Sequence, residues 1–189
     1  MNRKTILYVT LGVVILAVVV AVGLASRNVV PNAASQAPIQ SSLKVGDVAP
    51  EFTAQSNAGP FDLASVTTPV LLEVFATWCP HCQHETAILN DLAVKYQGKI
   101  AMIAVDGSPY GMDGSTAGSE SDVNQFGARF AVRYPIAFDP QLAVAQKYLQ
   151  GGFPTIVLIR PDKKIAWIKD GEVPENDLVK AINAVIPGV

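Results

Sequence analysis

Both cysteines of this 189-residue chain, Cys79 and Cys82, and both of its histidines, His81 and His84, fall within six residues of the stretch "FATWCPHCQHE". Three chemistries use such residues: a metal site, a structural disulfide, and a dithiol that is oxidised and reduced. Residues three apart on a helix share a face at a Cα separation that a disulfide tolerates, so Cys79 and Cys82 can close a ring on themselves. A bridge across so short a loop stabilises the fold little, which argues against a staple. A cysteine at a helix N-cap sits among free backbone N–H groups and the positive end of the helix dipole, which favour thiolate over thiol. Cys79 fits that place, Pro80 suits the first helical turn, and Cys82, one turn further in, is shielded. His81, between the two sulfurs, can add a hydrogen bond or a positive charge beside Cys79. Structural zinc sites draw their second ligand pair from elsewhere in the chain, and His81 cannot easily face the same ion as both flanking sulfurs. Covalent haem attachment needs a histidine where Gln83 stands. No metal and no cofactor is therefore expected.

The flanking elements have to present this pair. "PVLLEVFA", residues 69–76, is a continuous apolar run interrupted by Glu73, the pattern of a strand buried on both faces. From Pro80 the period changes, with Ile88, Leu89, Leu92, Ala93 and Tyr96 marking one face of a helix that ends by Gly98. "PEFTAQ" and "PFDLASV" read as an edge hairpin and "KIAMIAVD" as a second buried strand. The loop "GSPYGMDGSTAGSES" reads as a surface insertion. Ser119 and Asp122 suggest a capping box for a helix through Phe130. "YPIAF" is a short strand, and Asp139 with Pro140 predicts a helix to about Leu149. "PTIVLI" and "KIAWIK", joined by "RPDK", form a hairpin, and a last helix runs from Glu175 to about Ile186. This order predicts an α/β sandwich of three layers with a mixed sheet, whose chemistry sits beyond the carboxyl ends of strands.

Residues 5–25 are uncharged and apolar on every face, and as a helix they reach roughly 31 Å, the thickness of a bilayer core. Arg3 and Lys4 before this segment place the N-terminus in the cytoplasm. The expected organisation is a transmembrane signal-anchor at 1–26, a flexible linker at 27–43 and a folded domain at 44–189. The domain would then lie on the extracytoplasmic side of the cell membrane; cleavage before Ser26 and secretion is the alternative. Three cations and no acid precede Lys44, so the total of −2 leaves −5 on residues 44–189. Such an acidic domain offers no footprint for nucleic acid.

"WCPHC" after an apolar strand resembles the active site of the thioredoxin superfamily, over about residues 44–187. The frame "GDVAPEFTAQ…PVLLEVFATWCPHC…GGFPTIVLIRPDKKI" is similar to membrane-tethered TlpA/ResA-type oxidoreductases. Pro80-His81 and the acid six residues before Cys79 resemble exported dithiol oxidases of the DsbA type. The resemblance implies a thioredoxin-like α/β/α sandwich and a redox disulfide Cys79–Cys82. It also implies a cis Pro154 beside it, with Phe153, Pro154 and Thr155 meeting substrate. Glu73 matches the buried acid that moves a proton to or from Cys82, its pKa raised by burial. Glu85 matches an acid near the site and reads equally as a solvated helix residue, His84 reads as a surface residue, and Trp78 is expected to pack over the cysteines. The expected activity is disulfide exchange with exported thiol- or disulfide-containing proteins, recycled by a membrane redox partner. Oxidation follows from the Pro-His dipeptide; the alternative, from the frame, is reduction of exported substrates such as apocytochrome cysteines. A thioredoxin-fold metal or haem-maturation chaperone is a second class. A peroxidase is a third, although no PxxTxxC arrangement precedes Cys79.

Overall fold

The computed structural model describes residues 41–186; the expected membrane segment at 5–25 and most of the 27–43 linker lie outside them. Among the described residues no helix is long and apolar enough to cross a membrane. The chain is docked on the domain by Ser41, whose N–H donates to the Leu149 carbonyl at 2.6 Å, and Leu43 packs against the core.

Seven strands form one sheet: β1 (Thr53–Ser56), β2 (Gly59–Asp62), β3 (Val70–Phe75), β4 (Ala101–Asp106), β5 (Ile136–Phe138), β6 (Thr155–Ile159) and β7 (Ile165–Asp170). Their spatial order is β2-β1-β5-β4-β3-β6-β7. The β3, β4 and β5 strands run parallel, and the remaining neighbours are antiparallel. The mixed sheet follows from the connections. Helices α1 (Pro80–Lys95) and α2 (Glu120–Arg129) separate the parallel strands, whereas the Arg160–Lys163 turn returns the chain directly as β7. The expected N-terminal hairpin pairs Thr53 with Asp62 at the opposite edge.

Alternation along β3 assigns the two faces. Leu71 and Phe75 pack with Leu89 and Leu92 of α1, Tyr96 at its C-cap, Phe126 of α2, and Leu178 and Ile182 of α4 (Glu175–Asn183). Val70, Leu72 and Val74 pack on the other side with Val144, Ala145 and Tyr148 of α3 (Ala143–Tyr148). Burying each large apolar side chain contributes about 1.5–3 kcal/mol. Three layers result, and all six residues of β3 are buried between them.

Two helix boundaries differ from the sequence reading. The helix expected at Asp139 begins at Ala143, because Leu142 takes a left-handed conformation (φ 54°) and breaks the first turn. The buried Asp139 carboxylate still caps it from a distance, accepting from the N–H groups of Ala143, Val144 and Ala145 at 2.9, 2.7 and 3.2 Å. The last helix ends at Asn183 instead of about Ile186, closing in turns that bond Val185 and Ile186 to the Ile182 carbonyl. The capping box holds as read, with the Ser119 hydroxyl accepting from Asp122 N–H.

Candidate active site

The β3 strand ends at Phe75, and a short turn, closed by Cys79 N–H donating to the Ala76 carbonyl at 3.1 Å, delivers the chain to α1. Cys79 is the N-cap in extended conformation (φ −77°, ψ 119°) and Pro80 opens the helix. Both cysteines are reduced and buried, Cys79 at 4% exposure and Cys82 at 0%. From the opposite side, the Phe153 carbonyl lies 3.6 Å from Cys79 Sγ, and the Phe153–Pro154 peptide bond is cis. Thr155, expected among the substrate-facing residues, is fully buried. Its hydroxyl donates to Gly152 O and accepts from Gln150 N–H, so it holds the loop that carries Phe153.

The two thiols differ in acidity for identifiable reasons. Cys79 is pulled down to about 6, first by the Cys82 thiol donating to it, next by the backbone N–H groups of Cys82 and His81, and last by the His81 charge; burial opposes all three. The helix amides therefore act second to the partner sulfur. Cys82 is pushed strongly upward by burial, by its own hydrogen bond to Cys79 and by Glu73.

Glu73 sits on β3, between β4 and β6 in the sheet, at 2% exposure, so it cannot reach solvent, and its Oε1 has no hydrogen-bond partner. Burial, then the charges of Glu85 and Cys79, raise its pKa well above the ordinary carboxyl value. Glu85, for which a solvated place was one of two readings, is fully buried: Val173 from the loop before α4 covers it and donates its N–H to Oε2 at 2.8 Å. Burial first, offset by that bond and reinforced by Glu172, pushes Glu85 up to about 7. It lines the floor of a surface cleft of about 280 Å³ shared with His84, Ile88, Glu172, Val173 and Pro174.

Trp78 is half-buried; its indole N–H donates to Ser108 Oγ at 2.7 Å, and its ring meets Phe153 edge to face with centroids 6.1 Å apart. The insertion thus packs at its root against the turn that carries Cys79, with Gly114 lying over Trp78. His81 and His84 are exposed, and both present Nδ1 to the same Oε1 of Glu172, at 2.6 and 3.2 Å.

Four residues near the site are absent from the sequence reading. Glu172 and Ser108 reach it from loops 91 and 30 residues away from their partners, with no local signal. Asp106 ends β4 opposite Phe75, fully buried, and burial pushes it up to about 7. An acid at the carboxyl end of a buried strand is the signal that could have found it. Tyr134 is buried with its hydroxyl unpartnered, and burial and the nearby Glu73 raise its pKa.

Residues 44–186 match the Redoxin family. The chain is 28% identical over 151 residues to the thiol-disulfide oxidoreductase ResA of Oceanobacillus iheyensis, covering 76% of this chain and 74% of that protein. ResA of Geobacillus thermodenitrificans is 28% identical over 152 residues, covering 78% and 82%. A Chlorobium tepidum structure assigned as a thiol:disulfide interchange protein DsbE superposes with a TM-score of 0.66 at 27% identity, over 76% of this chain and 99% of its own. StoA from Bacillus subtilis shares the fold, with a TM-score of 0.59 at 17% identity, over 71% and 97%. An ionisable N-cap thiol, a buried partner sulfur and this kinship agree: the chain belongs to the redoxin family, as a TlpA/ResA-like thiol-disulfide oxidoreductase of the thioredoxin superfamily.

Proposed function

We propose that the chain is a reductase of the ResA type, acting through Cys79 and Cys82 on disulfides of exported proteins, with apocytochrome cysteines among the clients that the resemblance implies. The observation that carries this reading is the acidity of Cys79. At about 6 it lies nearer the roughly 7 of a reducing dithiol protein than the roughly 3.5 of a strongly oxidising one. The ResA relatives favour the same direction over the oxidase that the Pro-His dipeptide suggested.

In the first step the Cys79 thiolate attacks one sulfur of a client disulfide; that S–S bond breaks, and the other client sulfur leaves as a thiolate that takes up a proton. The client is held by the backbone of Phe153, whose carbonyl already lies beside Cys79. Forming the mixed disulfide removes the negative charge on Cys79, one of the three causes that keep Glu73 protonated. Glu73 then ionises more easily, its proton passing to the client thiolate that has just left, and the resulting carboxylate accepts the proton of Cys82. The Cys82 thiolate attacks Cys79 Sγ, the second client sulfur leaves and is protonated, and the chain holds a Cys79–Cys82 disulfide. Two electrons have passed to the client. A membrane redox partner supplies two electrons that reduce the Cys79–Cys82 disulfide again.

Pro80 and Trp78 fix the entry of α1, His81 adjusts the charge beside Cys79, and Glu85 stands behind Glu73. Residues 1–26 anchor the chain, residues 27–43 tether it, and the domain from residue 44 works on the extracytoplasmic side.

A trapping variant tests the reading. Cys82→Ala leaves Cys79 able to attack and unable to be released, so mixed disulfides with exported clients should accumulate and disappear on adding dithiothreitol. Finding no adduct in the native compartment would remove protein disulfides from the substrates.

A further inference from the structure

The two imidazoles at the start of α1 meet a single carboxylate. Glu172 projects from the loop between β7 and α4, and its Oε1 accepts from Nδ1 of His81 at 2.6 Å and of His84 at 3.2 Å. Ring and carboxylate are both more than two-fifths exposed, so the contact is not forced by burial. It joins the helix that carries both sulfurs to a segment 91 residues away.

The geometry points to Glu172 as a positioning residue that neutralises the His81 imidazole next to Cys79 and makes this pair a weaker oxidant than its Pro-His dipeptide implies. The inference rests on Cys79 being the attacking sulfur, and it names the residue that sets the poise of that sulfur.

A lone imidazolium beside Cys79 favours the thiolate and hence the more oxidising disulfide. An imidazolium already paired with a carboxylate presents a dipole instead of a net charge. This agrees with His81 being the smallest of the causes that lower Cys79. His81 is raised from its ordinary value, by the hydrogen bond and charge of Glu172 and, more weakly, by Cys79. Both members of the pair therefore carry charge where Cys79 ionises. The other charged or titratable groups facing this corner are Glu73 of β3, which feels Cys79, and Glu85 of α1, which feels Glu172. Lys169, Asp170 and Glu175 are the charged neighbours of Glu172 along its own segment.

The sign of the effect can be worked out. In Glu172→Gln the anion is lost. Near pH 6 an imidazole of ordinary pKa, about 6.5, is still mostly protonated. The loss of the anion is then uncompensated, the corner becomes more positive, and Cys79 ionises more easily.

The test is the ultraviolet thiolate titration of reduced, full-length protein as wild type, Glu172→Gln and Glu172→Asp, with proton NMR titration of the His81 ring. The proposal expects the Cys79 ionisation constant to rise roughly three- to tenfold in Glu172→Gln, the His81 midpoint to fall, and Glu172→Asp to restore both. An unchanged or weaker Cys79 acid in Glu172→Gln overturns the proposal, since a merely structural contact or a carboxylate that serves only to keep His81 charged gives that result. Should Glu172→Gln fail to fold, a wild-type His81 ring that titrates at or below the ordinary value overturns it alone. A wild-type Cys79 that ionises like a free thiol would instead defeat the exchange reading itself.

Discussion

One helical turn separates Cys79 from Cys82, and in the proposed exchange that turn decides which sulfur reacts. Cys79 collects the thiol of Cys82 and two backbone N–H groups, whereas Cys82 is sealed from water beside a carboxyl. Alkylation of the reduced protein by iodoacetamide should therefore switch on through about pH 6 at Cys79 and leave Cys82 unmodified at neutral pH. Peptide mapping checks the site, and modification of Cys82 first would contradict the assignment. Glu73→Gln removes the proposed proton acceptor while keeping the shape. Resolution of a preformed mixed disulfide should slow by roughly a hundredfold, with little change in its formation; stopped-flow measurement separates the two steps. The cysteine pair and Glu73 were readable because an apolar strand running into CxxC fixes their place locally. The burial of Glu85 and the involvement of Glu172 depend on the loop at residues 171–174, which folds back on α1 from far along the chain.

Among the elements, strands and helices follow hydrophobic period, and their ends follow caps that only tertiary packing reveals. Asp139-Pro140 has the appearance of a helix start. The side chain instead reaches past the left-handed Leu142 to three N–H groups of α3. Asp139→Ala should cost about 2 kcal/mol in urea unfolding, since it strips a charged cap from a buried helix end. The Cys79 titration should stay in place, because α3 packs on the opposite face of the sheet. A shift of that titration would contradict the separation of the two layers. The insertion is legible as an insertion, and its contact with the site is not: the Trp78–Ser108 hydrogen bond joins two loops whose proximity follows from β3 lying beside β4.

At the scale of the molecule, three buried carboxyls sit around or behind the dithiol, and all three have raised pKa values. Each binds its proton more tightly in the fold than in the unfolded chain. Their contribution is therefore fully present below about pH 4 and is lost as pH rises through the folded values. For Asp106, raised from 3.8 to about 7, the loss is on the order of 4 kcal/mol between pH 4 and pH 8. Asp106→Asn should flatten the decline in stability across that interval, measured by urea unfolding at successive pH values; an unchanged slope would contradict the burial of that charge. The layered sheet was legible because strand and helix alternate from β3 through β6 and a tight turn then reverses the chain. The docking of Ser41 on Leu149 was not, since residues 27–43 carry no periodicity.

The direction of electron flow is the central claim, and the equilibrium of the Cys79–Cys82 pair with a glutathione or dithiothreitol buffer at pH 7 measures it most directly. A potential near about −270 mV is the predicted result. A potential near about −120 mV would place the pair among the oxidants and contradict the account.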